Sequence, residues 1–105
     1  MRLNIDEKIL ASIKKILSTF VPEYEVRAFG SRVEGKAKKY SDLDLVIVGK
    51  EKIENTELRH LREAFEESKI PFRVEILDWH RVSDSFKKVI EKRYEVLQHP
   101  RSSAP

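Results

Sequence analysis

Apolar residues at Ile9, Leu10, Ile13, Ile16, Leu17 and Phe20 follow the i, i+3, i+4 spacing of one helical face. Asn4 or Asp6 can cap the start of that helix, and Pro22 sits just beyond its end. The same period returns at Leu58, Leu61, Ala64 and Phe65, with Asn55 or Thr56 as cap and a stop before Pro71. A third helix is marked by Val82, Phe86, Val89 and Ile90. It is entered through Ser83, Asp84 and Ser85, whose side chains can bond free backbone N–H groups.

Extended segments fall between these helices. Tyr24 to Phe29 is short and ends at Gly30. Leu43 to Val48 is almost wholly aliphatic and ends at Gly49, the pattern of a central strand buried on both faces. Phe72 to Leu77 sets Phe72, Val74 and Ile76 on one face against Arg73, Glu75 and Leu77 on the other. Tyr94 to Leu97 can add an edge. The order describes an α/β (α+β) domain, a small mixed sheet flanked by helices, over residues 1–98. His99 to Pro105 reads as a disordered tail.

Composition narrows the function. At 105 residues there is room for one modest core. Charged residues reach 37 %, against roughly 25 % in average usage, so a sharply defined interior must sit inside a densely charged surface. The net charge of +3 is too even to point to nucleic acid as the direct substrate. Without cysteine there are neither disulfides nor thiolate metal sites. No apolar run approaches the ~20 residues of a membrane span, and the N-terminus lacks a signal-peptide pattern, so a cytoplasmic address is expected.

The chemistry concentrates in two short stretches. Gly30 and Ser31 follow a strand, where glycine lets the backbone approach an anion and serine adds a hydroxyl donor. The next residues can open a helix, and Arg32 or Lys36 can add charge. Asp42 and Asp44 are one residue apart on a strand, so their carboxylates share a face. Like charges about 4 Å apart repel by roughly 4 kcal/mol at an effective dielectric of 20. Such a pair gains little unless a cation sits between its members. Hard oxygen ligands with open positions suit Mg²⁺ or Mn²⁺, whose remaining positions can take triphosphate oxygens. Glu75, mid-strand among apolar neighbours, is the best third carboxylate for a two-metal site. Asp78, three positions on and on the opposite face, ranks second. Each piece alone has an ordinary reading as a turn, a strand start or an exposed side chain. Gly-Ser, ten residues, then Asp-x-Asp arises by chance on the order of once in a thousand chains of this length.

The run Gly30-Ser31, ten residues, Asp42-Leu43-Asp44 resembles the signature of the polymerase-β nucleotidyltransferase superfamily. Arg32, Gly35 and Ser41 bring it close to the minimal nucleotidyltransferases (MNT proteins) of prokaryotes, as do Phe72 to Trp79 and Phe86 to Ile90. The resemblance spans about Phe20 to Leu97. It implies a palm-like nucleotidyltransferase fold, two Mg²⁺ ions on Asp42, Asp44 and Glu75, and ATP as substrate. It also implies nucleotide contacts at Gly30, Ser31, Arg32 and Ser41. The usual third carboxylate of the family is Asp, and Glu75 reaches one methylene farther. Many such proteins pair with a HEPN-domain protein as the antitoxin of a toxin–antitoxin system, transferring AMP to the partner. Two other functions fit the residues: a non-catalytic antitoxin acting by occlusion, and transfer to a small molecule with a partner subunit or dimer completing the acceptor pocket.

Other residues carry less. His60, His80 and His99 share no metal-ligand spacing and read as solvated. Trp79 beside Phe86 reads as a core or partner-facing aromatic. Lys36, Lys38 and Lys39 form a basic loop, equally a solvated face or a surface placed for phosphates or an acidic partner. The charges of the second helix suggest i, i+4 pairing.

Overall fold

Residues 3–101 are described by the computed structural model. Helix α1, Glu7–Phe20, is capped by Asp6, whose carboxylate accepts from the Lys8 amide at 2.9 Å and the Ile9 amide at 3.4 Å. Strand β1, Glu25–Phe29, runs into the short helix α2, Ser31–Glu34, which Gly35 ends in the left-handed conformation. Strand β2 is Leu43–Val48 and helix α3 is Asn55–Glu66. Glu54 stands at the N-cap of α3 without a side-chain bond, in place of the expected Asn55 or Thr56. Strand β3, Val74–Asp78, leads through one 3₁₀ turn, Trp79–Arg81, into helix α4, Asp84–Lys92. Ser83 caps α4 by accepting from the Phe86 amide. Strand β4 is Glu95–Gln98.

The sheet order is β3-β2-β1-β4. β1 pairs antiparallel with β2 and β4, whereas β2 and β3 are parallel, with α3 as their crossover. The sheet is therefore mixed, as the sequence suggests. Alternation along the strands assigns each face its cover. Val26, Ala28, Leu43, Leu45, Ile47 and Ile76 point toward α1 and α3 and form the main core with Ile13, Leu17, Leu61 and Phe65. Phe29 and Val46 point the other way, under Ile90 and Phe86 of α4, with Leu77 and Trp79 beside them. Phe29 and Phe86 meet edge to face, their ring centroids 5.8 Å apart. Trp79 is partly buried against this cluster, with the guanidinium of Arg27 5.4 Å from its ring.

Some local expectations change. His80 is half-buried, its Nε2 2.6 Å from the Gly49 carbonyl, which can accept from it. Arg62 donates to the Ile76 carbonyl at 2.8 Å and so ties α3 to β3. Arg101, expected within a disordered tail, donates its amide to the Pro22 carbonyl at 2.8 Å, while residues 102–105 lie outside the described residues. Among the described residues, no helix is long and apolar enough to cross a membrane.

Candidate active site

Register decides which carboxylates meet. Asp44 pairs with Phe29 of β1 on one side and with Glu75 of β3 on the other. All three point to the face opposite α1 and α3, where Phe29 lies under Phe86 of α4 and the Glu75 side chain is 41 % exposed. Asp42 lies just before β2, and its side chain is about half exposed. The two aspartates share a face, as period-2 geometry requires, and the parallel neighbour supplies Glu75 from 31 residues farther along.

Gly30 completes this corner. Its backbone has φ 84° and ψ −159°, a combination open essentially to glycine alone. Any Cβ at this position would collide with Asp44 Oδ2 and lie 3.2 Å from Asp44 Cγ. Glycine is needed here twice, for its conformation and for the approach of the carboxylate. Ser31 follows at the start of α2, half-buried, with its carbonyl accepting the Lys36 amide at 3.0 Å.

Arg32 holds the loop between the two halves of the motif. It is 4 % exposed and donates to three main-chain carbonyls: Asn4 at 2.7 Å, Ser41 at 2.9 Å and Lys39 at 3.1 Å. Its guanidinium lies 3.9 Å from the centroid of the Phe72 ring. Buried beneath the loop, it fixes the segment that delivers Asp42. Burial lowers its pKa from the usual arginine value, and Asp42 opposes that shift. Ser41 is likewise a loop builder: its hydroxyl accepts the Lys38 amide at 2.8 Å. Above this rigid frame the side chains of Lys36, Lys38, Lys39 and Tyr40 are exposed.

Asp78 does not share the face of Asp42, Asp44 and Glu75. It is 3 % exposed on the α3 side of the sheet and accepts from the amides of Ile53 and His80 and from Arg81 Nη1 at 2.6 Å. Glu75 instead takes a bidentate contact from Arg73, whose Nε is 3.2 Å from Glu75 Oε2 and 4.0 Å from Asp42 Oδ2. Sequence reading passed over Arg73, although its position on the Glu75 face was visible from alternation.

The electrostatics suit a cation. Burial pushes the Asp44 carboxyl above the ordinary carboxylate range, Asp42 and Glu75 add to the rise, and Arg73 opposes it. Three oxygen-donor side chains on adjoining strands fit a hard divalent ion better than a soft one. Among the described residues, no three Asp, Glu, His or Cys side chains stand close enough to hold an ion as they lie. Glu75, as it lies, is engaged by Arg73.

Gly30 packed on Asp44 fits a nucleotidyltransferase domain, and that is the class of this chain. The family model for that domain matches residues 10–98, and the chain belongs to the family. It is 50 % identical over 97 residues to the probable protein adenylyltransferase MntA of Haemophilus influenzae, covering 92 % of this chain and 85 % of the relative. Among solved structures, a toxin–antitoxin crystal structure with AMP-PNP superimposes with a TM-score of 0.72 at 19 % identity, over 88 % of this chain and 74 % of that one. A complex of a tri-AMPylated Shewanella oneidensis HEPN toxin with its MNT antitoxin gives 0.67 at 17 %, over 92 % and 75 %. At these identities the structural matches establish the fold.

Proposed function

We propose that this domain transfers AMP from ATP to a hydroxyl group of a HEPN-type partner protein, acting as the antitoxin of a toxin–antitoxin pair. The observation that carries the reading is the row Phe29–Asp44–Glu75 across three strands, closed by Gly30 against the Asp44 carboxylate. The relative from Haemophilus influenzae supports it, being named a protein adenylyltransferase at half identity. So do fold neighbours that are MNT antitoxins seated on HEPN toxins. A reaction that consumes ATP fits a cytoplasmic address.

In the transfer, the acceptor oxygen forms a bond to the α-phosphorus of ATP, the bond from that phosphorus to the bridging oxygen breaks, and pyrophosphate leaves. The acceptor proton passes to solvent or to a carboxylate at the site. Asp42 and Asp44 would hold two Mg²⁺ ions, one of them shared with Glu75, which when bound supply charge neutralisation for nucleophile and leaving group. Gly30 and the Ser31 hydroxyl orient the phosphates. Arg32 and Ser41 hold the loop, so that Asp42 meets the nucleotide without reorganisation.

The test is transfer of labelled AMP from ATP to the purified partner. Asp42→Asn and Asp44→Asn should each abolish labelling while leaving the circular dichroism spectrum unchanged. Full labelling by either variant would overturn the mechanism. Neutralisation of the toxin by Asp42→Asn at the wild-type level would favour occlusion over catalysis.

A further inference from the structure

On the open face of the sheet, four charged side chains stand at the corners of a small rectangle. Asp42 and Asp44 occupy β2 and its entrance, and Glu75 lies opposite Asp44. Arg73 lies opposite Asp42, because the Leu43 amide donates to the Arg73 carbonyl at 2.9 Å and continues the parallel register. Three corners are anionic and one is cationic. The cation is not free: it grips Glu75 through Nε and Nη2 and leans toward Asp42 at 4.0 Å. Its side chain is 68 % exposed, so packing does not hold it there.

We propose that Arg73 is a built-in counter-ion of the metal site. It occupies Glu75 in the metal-free domain, gives it up when the divalent ion arrives, and thereby sets the affinity of the site. The inference rests on the metal reading above and deepens it.

The physical case is the charge sum. Without Arg73 the corner carries three negative charges on two adjacent strands, with Asp44 partly buried. With it, two of the three carboxylates have a cationic neighbour, and the fold tolerates the cluster until the ion binds. The cost falls on the ion. Binding must break the Glu75 contact, and it leaves a guanidinium close to a divalent cation. A unit charge about 6 Å from such an ion in a water-like dielectric weakens binding roughly tenfold. Salt brings that figure toward about threefold. The arginine therefore acts as a positioning residue on Glu75 rather than as a ligand, and it lowers the affinity of the site for the ion.

The experiment is a Mn²⁺ titration of the metal-free domain without nucleotide, with free Mn²⁺ read by electron paramagnetic resonance. Wild type, Arg73→Gln, Arg73→Lys and Asp42→Asn are compared, alongside melting of each metal-free protein. Arg73→Gln should bind Mn²⁺ about three- to tenfold tighter and melt lower without metal, while Arg73→Lys should lie between it and wild type. Equal or weaker Mn²⁺ binding by Arg73→Gln, with Asp42→Asn still losing the ion, would overturn the counter-ion role and leave the metal site standing. Wild type and Asp42→Asn binding alike would overturn the metal reading and this inference together.

Discussion

Replacing Gly30 by alanine should damage catalysis far more than stability, and the structure says by how much. The residue sits at φ 84° and ψ −159°, where a side chain costs on the order of 1–3 kcal/mol. For a domain of this size, about 2 kcal/mol lowers the melting temperature by roughly 8–16 °C. Total stabilities of about 5–15 kcal/mol leave such a protein folded at room temperature. The second effect is local. The added methyl would overlap Asp44 Oδ2, and ordinary contact requires the carboxylate to retreat by about 1 Å. A displacement of that size at a reacting centre can cost roughly a hundredfold in rate. Gly35→Ala is the control. It too has positive φ, 76°, but nothing stands within 4 Å of a Cβ there, so it should lose about 1 kcal/mol and keep its activity. The assays are thermal melting and single-turnover AMP transfer at saturating ATP. Wild-type rates in Gly30→Ala would refute the reasoning, as would equal rate losses in both variants.

Two further outcomes follow from the same geometry. Arg32→Ala leaves the carbonyls of Asn4, Lys39 and Ser41 without their shared donor, and should cost about 2–4 kcal/mol. Amide exchange at Leu43 should rise with it, and a melting temperature within a degree of wild type would contradict the role. Asp44→Asn removes a carboxylate disfavoured by burial and by two acidic neighbours, so the metal-free variant should melt higher than wild type. It should also lose the stabilisation that Mg²⁺ with ATP gives the wild-type protein by mass action. A lower metal-free melting point would count against the electrostatic account.

What the sequence made legible was whatever its local periods encode. The run of β2, aliphatic but for Asp44, appears with the bounds Leu43–Val48 that the pattern assigns. The i, i+3, i+4 stripe of α1 delivers Ile13 and Leu17 to the core. Alternation along β3 placed Asp78 opposite Glu75, and burial of Asp78 among its three donors follows from that face. The loop-holding role of Arg32 was hidden for a physical reason: its partners are main-chain carbonyls at Asn4, Lys39 and Ser41, which carry no residue-type signature. Arg73 was missed because its meeting with Asp42 depends on the parallel register of β2 and β3, which no short-range pattern fixes. The 3₁₀ turn at Trp79–Arg81 is set by the Asp78 side chain accepting from the His80 amide, a cap hidden within what looked like a strand end.

The two arginines show how so small a domain can present a concentrated negative site. Arg32 works from below, buried against Phe72, and fixes the loop by its carbonyls without neutralising the carboxylates one for one. Arg73 works from the solvent side through an ion pair that an incoming ion can break, because exposed pairs of this kind contribute only about 0–1 kcal/mol. One cation is structural and the other exchangeable, so the frame stays rigid while the charge at its mouth can change. The mouth itself is open, with the Asp42 side chain 50 % and the Glu75 side chain 41 % exposed. A cleft of about 490 Å³, lined by Tyr24, Gly49, Lys50 and Glu57, lies at the other end of β2, away from these carboxylates. An open mouth of this kind leaves room for an acceptor presented on the surface of another molecule, the arrangement that the proposed transfer to a protein hydroxyl needs. The loop that delivers Asp42 also exposes Lys36, Lys38, Lys39 and Tyr40 beside that mouth.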